Sequence, residues 1–190
     1  MIRYLNSREC KEKLTQIFDL AAKKFKDDLI YGIDDRTRRR NASPHTLCSA
    51  AYDTEKDEIL SFFSCTVSDT AFRDGLLSGR YDENDLYPYD GTLPPILVMD
   101  VFVVTTHMHA PFVMRHLMKD LQNLIVADEL DIVGGLAIGG LRFTEKWLKK
   151  YGFNEIGKYK GKYPVLWATR EESAVLNSLV KAYPKRTVKP

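Results

Sequence analysis

The spacing of apolar and polar positions divides the chain into a fixed order of helices and strands. Residues 10–25 carry the helical period through Leu14, Ile17, Phe18, Ala21 and Ala22, with Asn6 or Ser7 placed to cap the helix. A shorter helix is expected over residues 28–33, and then a polar loop or frayed helix over 34–44. Residues 45–52 and 58–67 read as antiparallel strands around a polar turn, 53–57. Residues 96–105 are apolar nearly throughout, which predicts a strand buried on both faces. Pro111 can start a helix, continued by residues 113–130 with Leu117, Leu121, Leu124 and Ile125 on one face. A strand over 132–138 meets the break Gly139-Gly140. A helix over 142–150 follows and ends in Tyr151-Gly152-Phe153, and a hairpin comes after it, closed by Trp167.

Between the second and third strands, residues 68–95 are irregular. They hold several Gly and Pro residues and the acids Asp82, Glu83, Asp85 and Asp90. They read as a surface insertion with one short helix near 70–77, and a segment this long usually covers a site or meets a partner. A last helix over 173–183 and a basic tail over 184–190 complete the chain. With no repeat and no linker, the order predicts one α/β domain over 1–190, a mixed, mostly antiparallel sheet flanked by helices.

Composition narrows the class only slightly. At 190 residues, 44% hydrophobic and 28% charged, the chain can bury a core and is not disordered. A net charge of +2 is too small to argue for nucleic acid. Three widely spaced cysteines, Cys10, Cys48 and Cys65, read as reduced core thiols, and the start of the chain has no apolar run of a signal peptide. A cytoplasmic protein is expected.

The block from Asp131 to Val165 (apolar strand, Gly-Gly break, amphipathic helix ending at Gly152-Phe153, final hairpin) resembles the end of a GNAT-type N-acetyltransferase domain. The element order matches that family over most of the chain, and the motifs match over residues 96–165. The resemblance implies a central strand that parts from its neighbour, so that its main chain pairs with the pantetheine arm of acetyl-CoA or another acyl-CoA as an added strand would. It also implies a loop that cradles the pyrophosphate on main-chain amides at a helix start, where glycines normally allow close approach. It places carrier contacts at Phe102, Val103, Val104, His109, Ala110, Phe112, Val113, Met114 and Arg115. That loop is degenerate: Phe112 and Met114 fall on the two glycine positions, and Pro111 removes an amide. In the last helix Leu148 falls where the family often has a tyrosine acid, and Tyr151 lies on another face.

Asp100, an acid inside an apolar strand, is the candidate catalytic base; the plainer reading is an exposed Asp or one paired with an arginine. His107, His109 and His116 lack an acidic or thiol ligand at a standard spacing, so no metal is expected. The run Arg36, Arg38, Arg39, Arg40 reads as a solvated helix end, and residues 158–163 as a hairpin rather than a base-stacking surface. Gly134-Gly135 reads as a strand bulge.

Two functions follow. One is an acyl-CoA-dependent N-acyltransferase acting on an amine, carried by a small molecule or a protein; no membrane is involved, an aminoacyl-tRNA acceptor stays open, and residues 81–90 shape an acceptor site or a homodimer contact. The other is a GNAT-shaped binding or structural module without transfer activity, as in a viral or toxin–antitoxin setting.

Overall fold

The computed structural model describes residues 1–25, 35–104, 108–139 and 142–181. The expected helix over 28–33 and the basic tail over 184–190 lie outside the described residues. Seven strands form one sheet in the order β1-β2-β3-β4-β5-β7-β6. They are β1 Ile2–Leu5, β2 Thr46–Asp53, β3 Glu58–Asp69, β4 Pro95–Val104, β5 Gly134–Ile138, β6 Asn154–Tyr159 and β7 Tyr163–Thr169. Only β4 and β5 run parallel, and every other neighbouring pair is antiparallel. The helices are α1 Ser7–Glu12, α2 Leu14–Phe25, α3 Asp35–Ala42, α4 Thr70–Leu77, α5 Ala110–Ala127, α6 Arg142–Lys150 and α7 Ala174–Lys181.

The single α/β domain with a mixed sheet is as expected. β1 was not foreseen, because four residues at a sheet edge, only the last fully buried, give too short an alternation to read. The expected helix over 10–25 is two helices, parted at Lys13 (φ −112°, ψ 18°). Asn6 caps the first in a reciprocal capping box with Glu9. Of the two readings of the polar stretch, loop or frayed helix, residues 35–42 take the helix. Its inward residues, Thr37, Arg40 and Asn41, are polar, so no apolar period marked it.

One face of the sheet carries α5, α6 and α7 over a core that includes Val113, Leu117, Leu121, Leu148, Phe153 and Leu176. The other carries α1 and α2, whose Cys10, Ile17 and Ala21 meet Cys48, Ala50 and Phe62. Segment 68–95 is not merely a surface insertion. Phe72, Leu76 and Leu86 bury themselves with Ile96, Val98, Leu136 and Val165 in a core of their own.

Gly134 and Gly135 do not bulge, since both keep register with β4 and β7. Their role is room. A Cβ on Gly134 would come within 2.3 Å of the Trp167 ring, and one on Gly135 within 3.0 Å of Phe153.

Candidate active site

The bulge lies instead at Asp100. Ser64 of β3 faces Val101 and Cys65 faces Met99, so Asp100 is the extra residue on β4. A bulge bends its strand and raises the local twist. The consequence shows on the other edge. β4 pairs with β5 from Ile96↔Gly134 to Met99↔Ala137, and the pairing stops there. β4 continues to Val104 along β3 alone (Phe63↔Phe102, Phe62↔Val103, Ser61↔Val104). β5 continues to Ile138 along β7, and the Gly139 amide donates to Pro164 O at 2.8 Å. From Asp100 onward the described β4–β5 ladder stops and leaves a slot, and among the described residues the main-chain groups of β4 that turn away from β3 have no strand partner.

The helix facing this slot starts at His109. This cap makes no side-chain capping bond, and Pro111 sits in the first turn. Pro111 has no amide to offer, and the Phe112 and Val113 amides both donate to His109 O (3.1 and 3.0 Å). The first turn thus presents fewer free amides than an ordinary helix start. The side chains on it are turned sideways. The rings of Phe112 and His116 stack on Tyr4 of β1, with centroids 5.0 and 5.9 Å away, and the Tyr4 hydroxyl lies 3.3 Å from His109 Nδ1. Phe112 stays 43% exposed. Val113 is fully buried, Met114 packs into the core, and exposed Arg115 places its guanidinium 6.0 Å from the Phe112 ring. Ser7 anchors the middle of the same helix through its amide and hydroxyl, both donating to Asp120 Oδ2 (2.9 and 2.7 Å). His107 and the side chains of Phe102, Val103 and Val104 lie outside the described residues.

Asp100 is paired, the plainer of its two sequence readings. Arg40 Nη2 of α3 lies 3.4 Å from Asp100 Oδ2, and both side chains are over nine-tenths buried. Arg40 is therefore a correction: it is not part of a solvated helix end, although Arg38 and Arg39 are exposed. Arg40 Nη1 also donates to Glu83 O at 3.3 Å, and the Glu83 carboxylate lies 3.3 Å from Lys160 Nζ. Nothing in the sequence singled out Glu83 or Lys160. The acidic residues of segment 68–95 were the only signal, and they did not say which one turns inward.

Leu148, where the resemblance implies a tyrosine, is 1% exposed. It has a structural role there. α6 ends in a Schellman turn, with the Gly152 amide donating to Lys149 O (3.3 Å) and the Phe153 amide to Leu148 O (3.2 Å). Leu148 and Phe153 supply the apolar contact that accompanies such a turn. Tyr151 points elsewhere, its ring 4.7 Å from that of Trp147. Leu148→Tyr should cost about 1–3 kcal/mol through a buried, unpaired hydroxyl, read as a lowered thermal midpoint; an unchanged midpoint would mean that the hydroxyl finds a partner.

The three thiols are free and buried in the core, as expected. Burial, with smaller contributions from Asp100 and Asp120, pushes Cys65 far above the usual thiol range. Its hydrogen bond with Cys10, and then burial, push Cys48 up as well. Among the described residues no three His, Cys, Asp or Glu side chains gather as metal ligands.

No family model matches the chain, and no curated protein sequence matches it significantly. Solved structures do match. The chain is similar to a mosquito arylalkylamine N-acetyltransferase like 5b, with a TM-score of 0.52 and 10% identity over 89% of this chain and 100% of that one. It is also similar to AtaTR bound with acetyl-CoA, with a TM-score of 0.50 and 11% identity over 96% of this chain and 98% of that one. At such identities the likeness establishes the fold, which is the GNAT fold.

Proposed function

We propose that the chain is an acyl-CoA-dependent N-acyltransferase, in its simplest form an N-acetyltransferase acting on an amine. The parting of β4 from β5 just past the Asp100 bulge carries this reading. The main-chain groups between Asp100 and Val104 that have no partner on the β5 side among the described residues fit the amide-bearing arm of the carrier, which can add to β4 as a strand would. At the phosphate end, the positive pole of α5, the Ala110 amide and exposed Arg115 take over from a glycine cradle. His109, Phe112, Val113 and Met114 then act as the frame of this end rather than as direct contacts.

When bound, an acyl-CoA supplies an acyl group activated as a thioester. The chain's residues do the rest. Main-chain amides near Val103 and Val104 donate to the carbonyl oxygen as charge gathers there. Asp100, held by Arg40, accepts the proton that the amine loses, directly or through a water. Leu148 has no proton to give the leaving sulfur, so the acid of many relatives is missing here.

That absence and the amide-poor start of α5 favour a second reading, a GNAT-shaped binding or structural module without transfer. Among the described residues no helix is long and apolar enough to cross a membrane, and we place the protein in the cytoplasm.

Thermal unfolding with millimolar acetyl-, succinyl- and longer acyl-CoA decides between the two. At about a thousandfold excess over the dissociation constant, a carrier should add on the order of 4 kcal/mol, which in a domain of this size raises the midpoint by about 10 °C. No shift with any of them would overturn the transferase reading in favour of the module.

A further inference from the structure

The core under α5, α6 and α7 is not packed solid. A cavity lies there between the sheet and the three helices, and its wall includes Met99, Met114, Leu117, Met118, Trp147 and Phe153. The space in it open to the centre of a water molecule is about 30 Å³, at least twice what one water needs. Native cores leave few gaps larger than a water. The wall also has a direction. Leu117 and Phe153 are fully buried and form a floor, whereas Met99, Met114, Met118 and Trp147 are each partly exposed. The side nearest solvent is thus a rim of three thioethers and an indole.

That rim meets the slot. Met99 is the last residue of β4 laddered to β5, so the ladder stops immediately beyond it. Met114 stands in the second turn of α5, the helix that faces the opening. The cavity therefore continues the closed end of the slot inward. Its chemistry favours an apolar guest. The polar side chains in the wall are Cys65 and Ser173, and the Ser173 hydroxyl oxygen already accepts from the Leu176 amide at 3.4 Å. A water inside would lack the several polar partners it needs, and apolar cavities of this kind stay dry and take apolar molecules. A methylene fills much the same room as a water, so about two or three fit as the wall stands. Methionine is long, unbranched and polarisable, so rotation of the rim makes room for more.

We propose that this cavity holds the acyl chain of the carrier, and that the chain it prefers is unbranched and about four to six carbons long rather than acetyl. The role rests on the transferase reading, whereas the apolar nature of the guest rests on the cavity itself. The chain enters over the Met99 rim, at the closed end of the slot. Met114, Met118 and Trp147 are specificity-determining residues here, because their positions set how much chain the cavity admits.

The test is calorimetric titration of the full chain with acetyl-, butanoyl-, hexanoyl- and decanoyl-CoA. Each methylene that leaves water strengthens binding about fourfold, so hexanoyl-CoA should bind at least about tenfold tighter than acetyl-CoA. Decanoyl-CoA should gain nothing further, because the cavity is then full. Val175 lines the cavity from α7. Val175→Phe puts a ring into the space and should abolish the preference for hexanoyl over acetyl. Met118→Ala widens the rim and should move the plateau from hexanoyl to decanoyl, a readout that stands if Val175→Phe does not fold. A flat series, a climb in the wild type that reaches no plateau, or a series that neither variant changes would overturn the assignment. The two proposals fail differently. Binding of every carrier with equal affinity removes the chain site alone, whereas no binding of any carrier removes the transferase and the chain site with it.

Discussion

Replacing Gly152 by alanine should destabilise the protein by roughly 3–5 kcal/mol and lower its thermal midpoint by about 10 °C. Two costs add. Gly152 has φ +88°, a region that side chains with a Cβ adopt at a cost of about 1–3 kcal/mol. A Cβ there would also lie 2.2 Å from the Glu172 carbonyl oxygen, which is backbone and cannot swing aside. The position matters because the Schellman turn at the end of α6 depends on it, and that turn brings Phe153 under Leu148 in the main core. Gly152→Asn separates the two costs. Asparagine tolerates positive φ but still carries a Cβ, so it should be nearly as damaging. A near-native midpoint for the asparagine variant would mean that the close approach to Glu172 is not limiting.

Arg40→Met should cost about 3–5 kcal/mol, because it leaves the Asp100 carboxylate buried without its counter-charge. The pair itself need not be strongly stabilising. Removing two charges from water costs several kcal/mol per ion, and the attraction between them largely offsets this. Adding Asp100→Leu to Arg40→Met should therefore recover most of the loss, as a well-packed apolar pair often does. Urea denaturation of the wild type, both single variants and the double variant gives the coupling directly. If the double variant is no more stable than Arg40→Met alone, the uncompensated carboxylate is not the cause of the loss. The Glu83 carbonyl, which Arg40 Nη1 also serves, would then be the main suspect.

Much of the fold was legible because it follows from local pattern. The apolar run of β4, the apolar stripe of α5 and the Gly152-Phe153 stop of α6 are all set by period and by one glycine. The site was less legible, for physical reasons. A bulge is a property of pairing between strands, so nothing near Asp100 announces it. Arg40 sits in a run of arginines, and only the fold decides which of them turns inward. Glu83 is one acid among several, distinguished by a carbonyl that meets a guanidinium more than forty residues away in sequence. Leu148 was read as a lost acid. The turn that needs a large apolar side chain there explains it without reference to chemistry.

The short ladder between β4 and β5 also has a mechanical side. It joins a four-stranded block to a three-stranded one along a seam of only four residue pairs, Ile96↔Gly134 to Met99↔Ala137. Such a seam behaves like the spine of a book. A small rotation of one block against the other barely disturbs the paired end, yet moves the far ends of the two strands by an amount that grows with distance from it. The width of the opening can thus be tuned by packing between the second half of α5 and α7, where Leu121 and Ile125 meet Leu176 and Leu179, away from the helix start.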